Sequence, residues 1–227
     1  MKTSSTVSAG WPRSVALVAV TFAGLLAIAG CQKRGSGVEM SEERRFEAIH
    51  GLKFGGAAVI DVHVRAGAPA TLLQVTGDDD VVPKIVTEVH DGVLAIRDDS
   101  KRSPNLPLEL SLTVASLDAI DLSGAVRGTI EGLQARAFRL HVSGAADLRV
   151  SGRCAALDVD VSGAAKVDAG ELLADDAKVQ LSGAGRIDVR TTGKLDVAVS
   201  GAGTVRYTGP PTSITKQVSG VGSVEPR

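Results

Sequence analysis

The chain has 227 residues, with 25 Lys+Arg against 26 Asp+Glu, a formal charge of −1 and only 3% aromatic residues. That balance offers no basic footprint for nucleic acid and none for an anionic lipid surface. Two cysteines, Cys31 and Cys154, are too few for a disulfide-stapled scaffold.

Lys2 and Arg13 flank the uncharged run SVALVAVTFAGLLAIAG, which ends at Cys31. An apolar stretch of about 17 residues behind a positive flank reads as a signal-peptide core, slightly short for a membrane span. The tetrapeptide IAGC resembles the bacterial lipobox. That resemblance implies cleavage between Gly30 and Cys31 and thioether lipidation of Cys31. The expected partner is then a membrane reached through a lipid anchor, each buried CH₂ contributing about 0.8 kcal/mol. Gln32 after the cysteine implies outer-membrane sorting in a Gram-negative cell, so the expected location is the cell envelope. Removing residues 1–30 takes away Lys2 and Arg13 and no acid, leaving 23 Lys+Arg against 26 Asp+Glu, a charge of −3. Cys154 is then left without a cysteine partner and reads as a small buried hydrophobe.

Residues 31–45 carry the lipidated Cys31 and the polar stretch QKRGSGVEMSEERR, which reads as a flexible tether. About 14 residues could reach roughly 45 Å if fully extended. From Phe46 onward the pattern is β-rich and continues as one domain, 46–227, large enough for a continuous core. Residues 46–117 hold AAVIDVHVRAG, ATLLQVTGD, PKIVTEVHDGVLAIRDD and LPLELSLTVASL, which alternate and end at Gly, Asp or Pro. His90-Asp91-Gly92-Val93 reads as a tight hairpin turn. The acids of TGDDD (Thr76–Asp80) lack the spacing of an EF-hand ligand set and read as a solvated loop. These segments are expected to start the stack described next and to cover its first edge.

The word Ser-Gly-Ala recurs at Ser123-Gly124, Ser143-Gly144, Ser162-Gly163, Ser182-Gly183 and Ser200-Gly201, with a Ser-Gly-Val version at Ser219-Gly220. A period near 19 residues marks a stacked repeat. One, three and five residues before the serine the side chains are apolar in nearly every copy, as in Leu157, Val159 and Val161. Five and seven residues after it a second apolar pair follows, as in Val167 and Ala169. The intervening positions are polar, so each copy carries two strands with one face inward. Such short strands bury a core only by stacking. The fold class expected is all-β, a parallel β-solenoid with one coil of about 19 residues per copy. No window sustains a 3.6-residue apolar period, which excludes helices from the architecture. Gly at the corner permits a positive φ, small alanines let corners stack about 4.8 Å apart, and the serines bond local backbone. Six equivalent serines argue against any one being a nucleophile.

The outward positions form columns at the same period. Four residues before the serines stand Arg139, Asp158, Lys178 and Asp196, and six after them Arg149, Asp168, Asp188 and Arg206. Both columns read as cross-strand charge pairs. Two residues before the serines come Asp121, His141 and Asp160, the one grouping with metal-binding or acid–base character. A solvated ion-pair ladder is the simpler reading of it, and no metal or cofactor is expected. His50, His63 and His90 are scattered without ligand spacing.

Segments FEAIHGLKFGGAAVIDVHVRAG and DGVLAI, and the run from LDAIDLSGA through LDVAVSGAGTV, resemble the head GIN domain family, named for auto-transporter adhesins. The resemblance covers about residues 46–227 and implies a right-handed parallel β-helix in bacterial envelope proteins, often lipoproteins, without an established common activity. This chain shows no C-terminal barrel pattern and no aromatic terminal residue, so it is not expected to act as an autotransporter itself. The leading expectation is a non-enzymatic, lipid-anchored envelope protein presenting a rigid solenoid for adhesion, binding or scaffolding, with an envelope protein or a surface glycan as ligand. The alternatives are a polysaccharide-processing enzyme, for which aromatic residues are scarce, and an accessory protein of the envelope-stress response. The last coil, ending at SVEPR, is expected to leave a sheet edge that Pro210, Pro211 and Pro226 blunt.

Overall fold

The computed structural model describes residues 33–227. The proposed signal peptide and Cys31 lie outside the described residues. Alternating apolar and polar positions produce strands almost throughout. They run β1 (Glu39–Phe46), β2 (Gly51–Val64), β3 (Thr71–Asp78), β4 (Ile85–His90), β5 (Val93–Asp98), β6 (Glu109–Val114) and β7 (Ala119–Val142). Then follow β8 (Ala145–Val161), β9 (Ala164–Leu181), β10 (Ala184–Thr191), β11 (Lys194–Val199), β12 (Ala202–Thr208), β13 (Ser213–Val218) and β14 (Ser223–Pro226). A single 3₁₀ turn, Val82–Lys84, is the one helical segment among the described residues.

From β2 to β14 the ladder is parallel: β2 on β7, β7 on β8, β8 on β9, then β9 on β10 and β11, β10 on β12, β11 on β13 and β12 on β14. The long β7 contains a whole coil and stacks on itself, with Ser143 N–H donating to the Leu122 carbonyl at 2.9 Å. The result is the β-solenoid the repeat predicts, of about 5 turns. Its core is the set of inward triplets: Phe138, Leu140 and Val142; Leu157, Val159 and Val161; Ala177, Val179 and Leu181; Leu195, Val197 and Val199 are all at most 3% exposed. Val205 closes the pattern as a buried residue, whereas Tyr207 is half-buried.

The first layer is built differently. Both β5 and β6 lie parallel on β2, on its two halves, so the loop between them stands where later coils have their corner. Antiparallel strands widen this layer: β4 on β5, β3 on β6 and β1 on β3. The β4–β5 connection is the expected tight hairpin, with Asp91 at φ 48° and Gly92 at φ 71°.

Three expectations need correction. The tether is largely folded, because the alternation hidden in EMSEERRF places β1 on β3 from Glu39↔Asp78 to Phe46↔Thr71. The acidic stretch Thr76–Asp80 is not a solvated loop. Asp78 ends β3 fully buried, and its carboxylate accepts N–H bonds from Gly37 (2.7 Å), Asn105 (2.8 Å) and Leu106 (3.1 Å). Burial pushes the Asp78 carboxyl up, but the three donors, Leu106 first, outweigh it and hold it below the ordinary value. The third correction concerns the corners. Gly124 and Gly220 have φ of 116° and 150°, but Gly144, Gly163, Gly183 and Gly201 do not need positive φ. There a Cβ would collide with the carbonyl of the corner glycine one coil earlier. Glycine serves close backbone stacking at those corners, not a left-handed turn. The serines donate across the same gap: Ser123, Ser143 and Ser182 Oγ reach the Phe54, Leu122 and Val161 carbonyls at 3.3, 3.5 and 3.4 Å.

Candidate functional site

Each coil enters its pre-corner strand from the connector, and there the outward side chains alternate between short alanines and charged residues. Stacking aligns them in register: Arg139↔Asp158, Asp158↔Lys178 and Asp196↔Lys178. Ala137 and Ala156 are the short outward residues between the charges, Asp176 takes the same position on the next rung, and the ridge of buried Phe138, Leu157 and Ala177 lies behind. The outcome is a groove of about 710 Å³ along five successive rungs. Arg136, Arg139, Lys178 and Lys194 line it together with Asp118, Asp158, Asp176 and Asp196.

Most of these charges are uncommitted. Arg139 Nε and Asp158 Oδ2 approach to 3.7 Å, and Asp176 Oδ1 accepts the Lys194 backbone N–H at 2.6 Å. Among the described residues, no carboxylate lies within ion-pair distance of Arg136, Lys178 or Lys194. The column expected to pair throughout therefore pairs once, since side chains on successive rungs can share a register without touching. The other column behaves differently again. Arg206 grips the buried Asp188 bidentately at 2.6 and 3.0 Å, and Arg227 reaches Asp168 at 3.9 Å.

The Asp121, His141 and Asp160 column sorts into two separate side-chain contacts. His141 Nδ1 lies 3.4 Å from Asp160 Oδ2, and Asp121 Oδ2 lies 3.6 Å from Lys53 Nζ. No group of three or more metal-ligating side chains occurs among the described residues. Lys53 is the member that sequence reasoning missed. Its signal was present, because Gly55-Gly56-Ala57 pairs with Ser123-Gly124-Ala125 and is an earlier copy of the corner word with Gly in place of Ser.

A second depression of about 660 Å³ lies on the connector side of Arg136, with Cys154 among its lining residues. Burial, and next the Asp175 charge, push the Cys154 thiol up to about 11. A thiol so protonated at neutral pH is a poor nucleophile. At the far end of the stack, β13 and β14 each have one partner strand, and Ile214, Val218 and Val221 are 37%, 46% and 89% exposed. Lys216 caps part of this face, its Nζ 5.1 Å from the Tyr207 ring centre and 3.0 Å from the Val224 carbonyl.

A stack of short coils with a charged groove on one side defines a β-solenoid with an open lateral groove rather than an enclosed cavity. The family described as "Putative auto-transporter adhesin, head GIN domain" matches residues 52–211. The chain belongs to this head GIN domain family. No curated protein matches it. Among solved structures it is similar to a "putative adhesin" of Bacteroides fragilis, at 21% identity and TM-score 0.68, covering 86% of this chain and 99% of that one. Another, from Parabacteroides distasonis, is similar at 20% identity and TM-score 0.55, with 86% and 99% covered. A third, named a "Putative lipid binding protein" from the same species, has 17% identity and TM-score 0.50, with 86% and 98% covered. At these identities the likeness is one of fold.

Proposed function

We propose that this chain is a lipid-anchored protein of the bacterial envelope, acylated at Cys31, whose solenoid binds a charged partner along the groove without catalysing a reaction. The observation that carries the reading is the trio of uncommitted cations, Arg136, Lys178 and Lys194, on stacked rungs. Their rungs lie one or two strand spacings of about 4.8 Å apart, on backbone that the ladder already holds in place, so that only the side chains are ordered on binding. Membership of an adhesin-named family supports a role in attachment at the envelope or surface. Phe54 and Phe138 are buried, which leaves little aromatic surface for stacking on sugar rings. A charged protein segment is therefore favoured over a neutral glycan. The lipid-binding name of one structural neighbour supports zwitterionic phospholipid as the second ligand to try.

The test is retention of the purified domain on immobilised envelope proteins, with phosphatidylethanolamine vesicles run in parallel. Replacing Arg136, Lys178 and Lys194 together by Ala is expected to weaken retention about tenfold or more, since each hydrogen bond to a charged group contributes about 1.5–3 kcal/mol. Unchanged retention on every ligand would overturn the groove as the binding face.

A further inference from the structure

We infer that the first layer of the solenoid rests on the phospholipid headgroups themselves, with the β5–β6 loop against the membrane and the last coil standing away from it. This rests on the lipid-anchor reading above. A long tether would uncouple the domain from its anchor, but the described chain is stitched down from its first residues. Ser103 N–H donates to the Lys33 carbonyl at 3.1 Å and Gly35 N–H to the Ser103 carbonyl at 2.9 Å. Asn105 Nδ2 bonds the Gly35 carbonyl at 2.6 Å, Ser36 N–H bonds Asp80 and Gly37 N–H bonds the buried Asp78. A Cβ on the buried Gly35 would run into the Asp78 carboxylate, so the seat is closely fitted. Only Gln32 separates Cys31 from Lys33, a span of about 7 Å at full extension.

The chemistry at the seat fits headgroup phosphate. Lys33, Arg34 and Lys101 are exposed and, among the described residues, form no ion pair. Of the acids nearby, Asp80 pairs with Arg102 at 3.1 Å, Asp99 with Arg97 at 3.4 Å, and Asp98 accepts the Ser100 N–H at 2.7 Å, which leaves the exposed Asp79 as the acid without such a contact beside three cations that form no ion pair. The column from Val93 through Gly51 to Thr215 climbs seven strand spacings. At about 4.8 Å each the far end stands roughly 34 Å along the stack from the first layer. The groove thus works within a few tens of ångströms of the bilayer, not at the end of a leash.

The experiment uses the full acylated protein in phosphatidylethanolamine–phosphatidylglycerol vesicles carrying a headgroup-attached quencher. One fluorophore is placed through Pro104→Cys, exposed on the β5–β6 loop, and, in a separate preparation, another through Thr215→Cys, the buried Cys154 being unreactive. Strong quenching at position 104, little at 215, and relief at 104 after a 12-residue Gly-Ser insertion between Gln32 and Lys33 is the expected result. Acylated, vesicle-bound protein with equally weak quenching at both positions would overturn the inference while leaving the anchor intact. Absence of acyl groups by mass spectrometry would overturn the anchor reading, and the inference with it.

Discussion

At the scale of single residues, the corner glycines and Asp78 carry the most specific demands of the fold. A methyl group on Gly163 points into the carbonyl of Gly144, so Gly163→Ala forces two coils apart. Overpacking of this kind costs about 1–3 kcal/mol, and thermal unfolding should show a clear fall in Tm. An unshifted Tm would mean that the corner backbone relaxes freely. The Asp78 carboxylate is held below the ordinary value in the folded chain. A depressed group stabilises the fold above its unfolded value of about 3.9, and the contribution disappears as pH falls toward the folded value. Hydrogen exchange should therefore show the Gly37, Asn105 and Leu106 amides protected at neutral pH and losing protection below about pH 4. The same amides should be unprotected at neutral pH in Asp78→Ala.

At the scale of strands, what was legible depended on repetition. From Ser123 onward the period, the inward triplets and the corners could all be read, because every coil solves the same packing problem with the same residues. Where the chain departs from that solution, the signal weakened. In β2 the corner is Gly55-Gly56, without serine, and one register partner of the Asp121 column, Lys53, was hidden by that change. β1 is polar on its outward positions, Glu39, Ser41, Glu43 and Arg45, and only half-buried on the others, which is how a tether also looks in sequence. Asp78 could not be read at all, since its donors come from segments far apart in the chain. The charge columns show the complementary limit, in that register was legible but contact between long side chains was not. Stacking also sets how damage spreads. Leu181 is 1% exposed in the middle of the stack, and Leu181→Ala should cost about 2–5 kcal/mol. Denaturant unfolding followed by exchange should localise the loss to β9 and the coils on either side, since each coil contacts only its neighbours. A uniform loss across the first layer as well would mean that the domain unfolds as one unit.

At the scale of the whole molecule, the solenoid of the described residues carries a closely fitted first layer around Asp78, a groove along successive rungs, and an edge of Ile214, Val218 and Val221 at its last coil. The measurement that bears most directly on this account is protease accessibility of the protein on intact and on opened cells, compared with Cys31→Ser. The account predicts membrane-bound protein for the native chain and release of Cys31→Ser into soluble fractions, the cleavage pattern on intact cells telling which face of the envelope carries the solenoid. Equal membrane retention of both proteins would contradict anchoring through Cys31 and the envelope role built on it.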